Sequence, residues 1–188
     1  MRRTKEEALQ TRENILKAAA QVLARLGVNA FTLDAVAREA CITKGGVLHH
    51  FPSKESLIDS LIDQVIEAFN TRLTEELAKE PEAQPGRWLR AYIRTVFFIS
   101  YKDKNLSFVL AAAASAEHQP LERIRRSLEE RQQAIIQDGI APIQATIIRL
   151  AVDGLVFAKA LDIDVLDADT SQSVYEELIR LTVPANTQ

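Results

Sequence analysis

Two adjacent glycines, Gly45 and Gly46, sit between Thr43-Lys44 on one side and His49-His50 on the other. The polar groups of this stretch are hydrogen-bonding groups rather than parts of a bond-breaking constellation. The Lys44 ammonium can neutralise a phosphate or donate to O6 and N7 of guanine. The imidazoles of His49 and His50 can donate to phosphate oxygens. Each glycine costs about 1 kcal/mol relative to alanine inside a helix. Beside a nucleic acid, however, the missing side chains let backbone approach a phosphate or a base edge. The chemistry on offer is non-covalent recognition of a duplex; a plain loop for the glycines and a solvated pair for the histidines are the alternatives. Cys41 with the two histidines fits no closed zinc ligand set. Nor is a base or acid organised around Cys41 to make it a nucleophile, and it reads as a small turn or core residue. No paired carboxylates, phosphate loop or nucleophile motif stands out. The chain reads as a non-enzyme without metal or cofactor.

The flanking residues supply a frame for this stretch. Thr43 is placed to cap a short helix over 44–50, and Phe51-Pro52 ends it, because the residue before proline is pushed out of the helical region. Thr32 caps a preceding helix over 33–40, whose Leu33, Val36, Ala37 and Ala40 face a core, with Cys41-Ile42 as the turn. A first helix over 5–26 carries Ile15, Ala19, Val22 and Leu26 on one face, with Leu16 and Leu23 alongside, and Gly27 stops it. Val47, Leu48 and Phe51 are expected to lock the short helix onto the other two. Helix, tight turn and second short helix form a helix-turn-helix, whose second helix enters the major groove. Ser53 caps a long fourth helix over 54–79, and Ser53 and Lys54 stand where free backbone N–H groups favour a phosphate. Its core face is Leu57/Ile58, Leu61/Ile62, Val65, Phe69, Leu73 and Leu77. Arg2, Arg3 and Lys5 form a basic arm for the DNA backbone or minor groove.

Breaker-rich residues 80–86 precede further helical segments at 87–101, 105–117, 120–138, 143–162 and 171–182, with an acidic loop over 162–169. Few glycines and prolines and long amphipathic segments predict an all-α protein of about nine helices. Residues 1–57 would bind DNA and residues 58–188 would form a second helical domain. Net charge is −3, against a nucleic-acid binder at first sight. Its distribution is uneven: residues 1–57 hold nine Lys/Arg against six Asp/Glu, and residues 58–188 hold fourteen against twenty. Basic charge sits with the segment expected to meet phosphate. No apolar run approaches the ~20 residues of a membrane span, the charged N-terminus is not a signal peptide, and a single cysteine fits a reducing cytoplasm.

Residues 32–57 resemble the DNA-binding domain of TetR-type transcriptional regulators. The resemblance is carried by Ala40-Cys-Ile-Thr43, Lys44-Gly-Gly-Val-Leu-His-His-Phe51 and Ser53-Lys-Glu-Ser-Leu57. It implies phosphate contacts from Thr32, Thr43, His49 and Lys54, and groove contacts from Lys44, Gly45, Gly46 and His50. Three positions depart from the family's usual residues: Cys41 stands for the turn glycine, Gly46 for a threonine, and Leu48-His49 for a tyrosine pair. Cys41 must therefore tolerate the turn's backbone geometry, and a base contact at Leu48 is not expected.

The resemblance further implies that the rest of the chain binds a small effector and dimerises. Ile147, Leu150, Ala151, Gly154, Leu155, Ala158 and Leu161 form a broad apolar face with small residues, and Val174, Tyr175, Leu178, Ile179 and Leu181 a second. Paired with their copies they would make a four-helix interface, the alternative being burial within one chain. Trp88, Tyr92, Phe98, Tyr101, Phe108 and His118 are candidates for an effector pocket, although aromatics at helical spacing equally build a core. The expectation is a homodimeric regulator in the cytoplasm, most simply a repressor released from a palindromic operator by a small molecule. An activator and a helical ligand-binding module that does not act through DNA are the alternatives.

Overall fold

In a computed structural model the described residues are 5–102, 119–160 and 163–183. They form eight α-helices: α1 (Lys5–Leu26), α2 (Leu33–Glu39), α3 (Lys44–His50), α4 (Lys54–Leu77), α5 (Arg87–Lys102), α6 (Gln119–Ile136), α7 (Pro142–Ala160) and α8 (Ala168–Leu181). The helix expected over 105–117 and the arm residues Arg2 and Arg3 lie outside the described residues. No described helix is long and apolar enough to cross a membrane. The chain forms two compact units. The first contains described residues 5–65 and 119–123, the second 66–102, 124–160 and 163–183; α4 contributes residues to both.

The first unit is built on the apolar face of α1. Ile15, Leu16, Ala19, Val22 and Leu23 are buried with Phe31, Val36, Ala37, Val47 and Phe51, and Leu57, Ile58, Leu61 and Ile62 of α4 complete the core. Each such aliphatic or aromatic side chain stabilises by about 1.5–3 kcal/mol relative to exposure. Helix boundaries follow local chemistry. Gly27, at φ +73°, takes the left-handed conformation that ends α1, and its N–H donates to the Leu23 carbonyl at 3.0 Å. A short 3₁₀ turn, Val28–Ala30, missed in the sequence, leads into α2. Ser53 and Ser56 cap α4 reciprocally, each backbone N–H donating to the other's Oγ at 3.1 Å.

The second unit packs α5, the C-terminal part of α4, α6, α7 and α8 around Leu89, Tyr92, Ile93, Val96, Ile135, Ile148 and Val152. The start of α5 is tied down from far along the chain. Asp138 accepts from Trp88 N and Leu89 N at 2.9 and 2.8 Å, and its own carbonyl accepts from Gly86 N at 2.7 Å. Gly86 is at φ +78°, and a Cβ there would stand 2.2 Å from the Thr182 carbonyl oxygen, so no other residue fits. Arg90 donates through Nη1 to the Pro85 carbonyl and to Thr182 Oγ1. The last helix starts earlier than expected, at Ala168 rather than at 171, because Asp167 caps it by accepting from Thr170 N at 2.7 Å. Asp169 therefore belongs to the helix, not to the acidic loop.

Candidate nucleic-acid interface and effector residues

The turn between α2 and α3 is a Schellman motif. Cys41 N donates to the Arg38 carbonyl at 3.2 Å, and Ile42 N to the Ala37 carbonyl at 3.0 Å. Cys41 occupies the left-handed position at φ 55°, the one described non-glycine residue with positive φ. This is the geometry a glycine would take without strain, and Cys41 tolerates it on the surface. Thr43 then caps α3: its Oγ1 accepts from Gly46 N at 3.1 Å. Thr32 caps α2 in the same way through Ala35 N at 3.1 Å. In each cap the hydroxyl oxygen is an acceptor, which leaves its own proton for an outside acceptor. Both threonines are exposed.

Val47, fully buried, fixes the inner side of α3, and Thr43, Lys44, Gly45, Leu48 and His49 are exposed. Leu48 corrects one expectation: it is 39% exposed and does not lock the helix onto its neighbours. Lys44 Nζ lies 2.8 Å from Asp34 Oδ2 on α2, with both side chains more than half exposed. A solvated pair of this kind contributes only ~0–1 kcal/mol and exchanges readily for another anion. His49 and the half-buried His50 meet edge to face at 5.2 Å. Lys54 lies with Nζ 5.6 Å from the centre of the Phe31 ring.

Among the described residues nothing requires the two glycines. A Cβ at Gly45 would meet only Thr43 Oγ1, at 3.9 Å. At Gly46 it would meet Thr43 Oγ1 at 3.4 Å and Ile42 Cδ1 at 3.6 Å, ordinary van der Waals distances. Neither residue has a positive φ. Sequence reasoning missed Arg12, which donates from Nη2 to Ser60 Oγ at 2.9 Å and lies 4.9 Å over the Phe51 ring. Its signal is weak, one arginine on the polar side of α1.

The candidate effector residues separate. Tyr92 is 1% exposed, stacked on Trp88 at 5.5 Å, with its hydroxyl donating to Asp153 Oδ1. Burial first, then the Asp153 charge, pushes that hydroxyl well above the ordinary tyrosine value. Around it lie residues the sequence did not single out. Arg131 is stacked 3.8 Å over the Phe69 ring, its pKa lowered by burial. Arg149 pairs with Asp153 and donates from Nε to Gln132 Oε1 at 2.6 Å. Asp153 and Arg149 stand four apart on α7, whose one other charged residue is Lys159, a spacing that would have flagged them. Phe98, by contrast, is exposed and lines an open groove with Arg72, Glu76, Lys79, Glu80, Arg94, Phe97, Gln172 and Tyr175. The Tyr101 side chain, Phe108 and His118 lie outside the described residues.

Comparison with known proteins places these features. Residues 15–61 match bacterial regulatory proteins of the tetR family, and residues 86–183 match the tetracyclin repressor-like C-terminal domain. The chain is 35% identical over 97 residues to the HTH-type transcriptional regulator TtgR of Pseudomonas putida, covering 52% of this chain and 46% of TtgR. It is 48% identical over 62 residues to the HTH-type transcriptional repressor BepR of Brucella suis, covering 33% of this chain and 30% of BepR. The chain thus spans about half or less of the length of these curated relatives. Its fold is similar to that of a transcriptional regulator from Rhodococcus sp. Rha1, with TM-score 0.72, 23% identity, and coverage of 91% of this chain and 95% of that one. It is also similar to the multidrug binding protein EbrR complexed with imidazole, with TM-score 0.64, 22% identity, and coverage of 94% and 98%. A helix-turn-helix unit and a separate helical unit, each matched by its own family description, make this chain a member of the TetR family of bacterial transcriptional regulators.

Proposed function

We propose that the chain is a homodimeric, DNA-binding transcriptional repressor of the cytoplasm, released from a palindromic operator by a small-molecule effector. DNA binding belongs to residues 1–57, and effector binding and dimerisation to residues 58–188. The observation that carries the reading is the pair of glycines on α3. They lower helix stability, the described residues leave room for a Cβ at both, and Gly45 is exposed with Thr43, Lys44 and His49 while Gly46 beside it is half-buried. Their absent side chains serve a partner that comes close to backbone. Thr32, Thr43, His49 and Lys54 contact phosphates, and Lys44, Gly45, Gly46 and His50 enter the groove.

Dimerisation is supported by an uncovered stripe on α7. Ile143, Ile147, Leu150 and Phe157 are 74%, 61%, 55% and 49% exposed, with Gly154 between the last two. Their steps of four, three, four and three residues form the seam of a helix pair. No described heavy atom lies within 4 Å of a Cβ built at Gly154, so two copies of α7 can cross closely there. A two-fold dimer presents two α3 helices to half-sites about 34 Å, or a multiple of that, apart. An effector that binds best to a dimer with wrongly spaced heads shifts the population away from DNA. The helix α4, with residues in both units, is the lever. A protein of the same fold, EbrR, is complexed with imidazole in one structure and malachite green in another, which supports a ligand-bound state for this architecture.

The test is selection of bound duplexes from a random pool by the full chain, then titration against salt. An inverted repeat with a steep salt dependence is expected. Failure to enrich any sequence, with small-molecule binding intact, would favour a ligand-binding module without DNA. In sedimentation, Ile147→Glu with Leu150→Glu should turn the dimer into a folded monomer; a dimer that persists places the interface elsewhere.

A further inference from the structure

The groove beside Phe98 has a floor of buried charge. It holds about 650 Å³, within the range that takes a drug-sized ligand. The Glu76 and Glu80 side chains are only 3% and 8% exposed. Glu76 Oε1 faces Arg72 Nη2 at 2.5 Å and Lys79 Nζ at 2.8 Å, and its Oε2 accepts from Arg94 Nε at 3.2 Å. Glu80 Oε1 accepts from Arg94 Nη2, and Oε2 from Arg90 Nε at 2.9 Å. Each of the two carboxylates thus receives three donors, and most of its acceptor capacity is used within the chain.

Donors remain. Arg72, Lys79, Arg90 and Arg94 face Glu75, Glu76 and Glu80, so the cluster carries one positive charge in excess. A guanidinium offers five N–H groups and an ammonium three, more than these carboxylates consume. Arg72 Nε is buried without a hydrogen-bond acceptor among the described residues. Aromatic surfaces adjoin the charges: the Arg72 guanidinium lies 3.8 Å over the Phe98 ring, and Phe97 meets Tyr175 edge to face at 5.0 Å.

We propose that this groove is a binding site for an amphipathic carboxylate, its head on Arg72, Lys79 and Arg94 and its aromatic or alkyl body on Phe97, Phe98 and Tyr175. Binding rests on the groove alone; its regulatory meaning rests on the effector reading above. Cations are disfavoured by the excess positive charge of the cluster, and neutral analogues lose the charge-assisted hydrogen bonds.

The test is calorimetric titration of the full chain with phenylbutyrate, its neutral amide and the corresponding amine. The carboxylate should bind, the amide about tenfold more weakly, and the amine not measurably. Phe98→Ala and Lys79→Gln, both on exposed side chains, should each weaken the carboxylate about tenfold while the melting curve is retained. Absence of carboxylate binding, equal binding of amide or amine, or unchanged affinity in both variants overturns the proposal. Operator release is read separately. Phenylbutyrate bound to an intact operator complex upholds the site and overturns only its coupling to DNA, whereas loss of sequence-specific DNA binding in the free chain overturns the regulator reading and not the site.

Discussion

Alanine at Gly45 and Gly46 is expected to move stability and DNA affinity in opposite directions. The new Cβ atoms would approach nothing closer than 3.9 Å at position 45 and 3.4 Å at position 46. Relief of glycine's backbone entropy is worth roughly 0.5–1 kcal/mol in a helix. Both residues lie in the first turn of α3, where the low end applies, so the double variant should gain about 1 kcal/mol. For a chain of this size that raises the melting temperature by about 2–4 °C. If α3 meets DNA as proposed, each methyl would stand where backbone approaches the duplex. Displacing one charge-assisted hydrogen bond costs about 1.5–3 kcal/mol, so Kd should rise about 10- to 100-fold. Thermal melts followed by circular dichroism give the first quantity, and fluorescence anisotropy on the selected operator at fixed salt gives the second. A raised melting temperature with operator affinity unchanged within about threefold would refute a close backbone approach. A lowered melting temperature would refute the steric account of α3.

Removing the Asp34 carboxylate frees Lys44. Asp34→Asn should alter stability by less than about 0.5 kcal/mol and tighten operator binding, whereas Lys44→Ala should weaken it and lower the salt slope by about one; equal slopes would remove Lys44 from the phosphate contacts. Cys41→Gly relieves the left-handed strain at φ 55° and should raise stability to urea by about 1 kcal/mol, with Cys41→Val lowering it; the reverse order would mean the turn is held by the cysteine side chain. Stability should also fall with acid. Burial pushes the Glu76 and Glu80 carboxyls up, but their hydrogen bonds and the neighbouring arginine and lysine charges outweigh it and hold both below the ordinary 4.5. A folded pKa below the unfolded one gives stability that is complete above 4.5 and lost as pH falls through the folded value. Asp138, raised by burial, acts in the opposite sense; a melting temperature that holds constant or rises through this window would show that Asp138 prevails.

The elements that local rules govern were legible in the chain. Thr32, Thr43, Ser53 and Gly27 act within four residues of themselves; α2, α3 and α4 start where the first three place them, and α1 ends at Gly27. Cys41 was legible as a turn residue through the resemblance, which sets it where a glycine usually stands; its left-handed φ is seen only in the structure. Leu48 was not, since Val47 and Leu48 are adjacent and a helix of seven residues is too short for periodicity to choose which faces inward. The start of α8 was hidden because an acidic run reads as a solvated loop, while capping depends on one oxygen of Asp167 meeting Thr170 N. Tyr92 shows the larger limit of periodicity. Helical spacing places it on an apolar face, but its partner Asp153 comes from another helix, and only the tertiary structure brings the two together.

The junction at the start of α5 has a consequence for the newborn chain. Its parts are Gly86, Asp138 and Thr182, which emerge from the ribosome at very different times. Until Asp138 arrives, Trp88 N and Leu89 N have no cap; until Thr182 arrives, Arg90 lacks one of its acceptors. The helix-turn-helix residues have all been synthesised by then. The second unit is therefore completed only after Thr182 has been made, so a ribosome that stops before Thr182 releases a chain whose second unit is open, with apolar surface for proteases and chaperones to recognise.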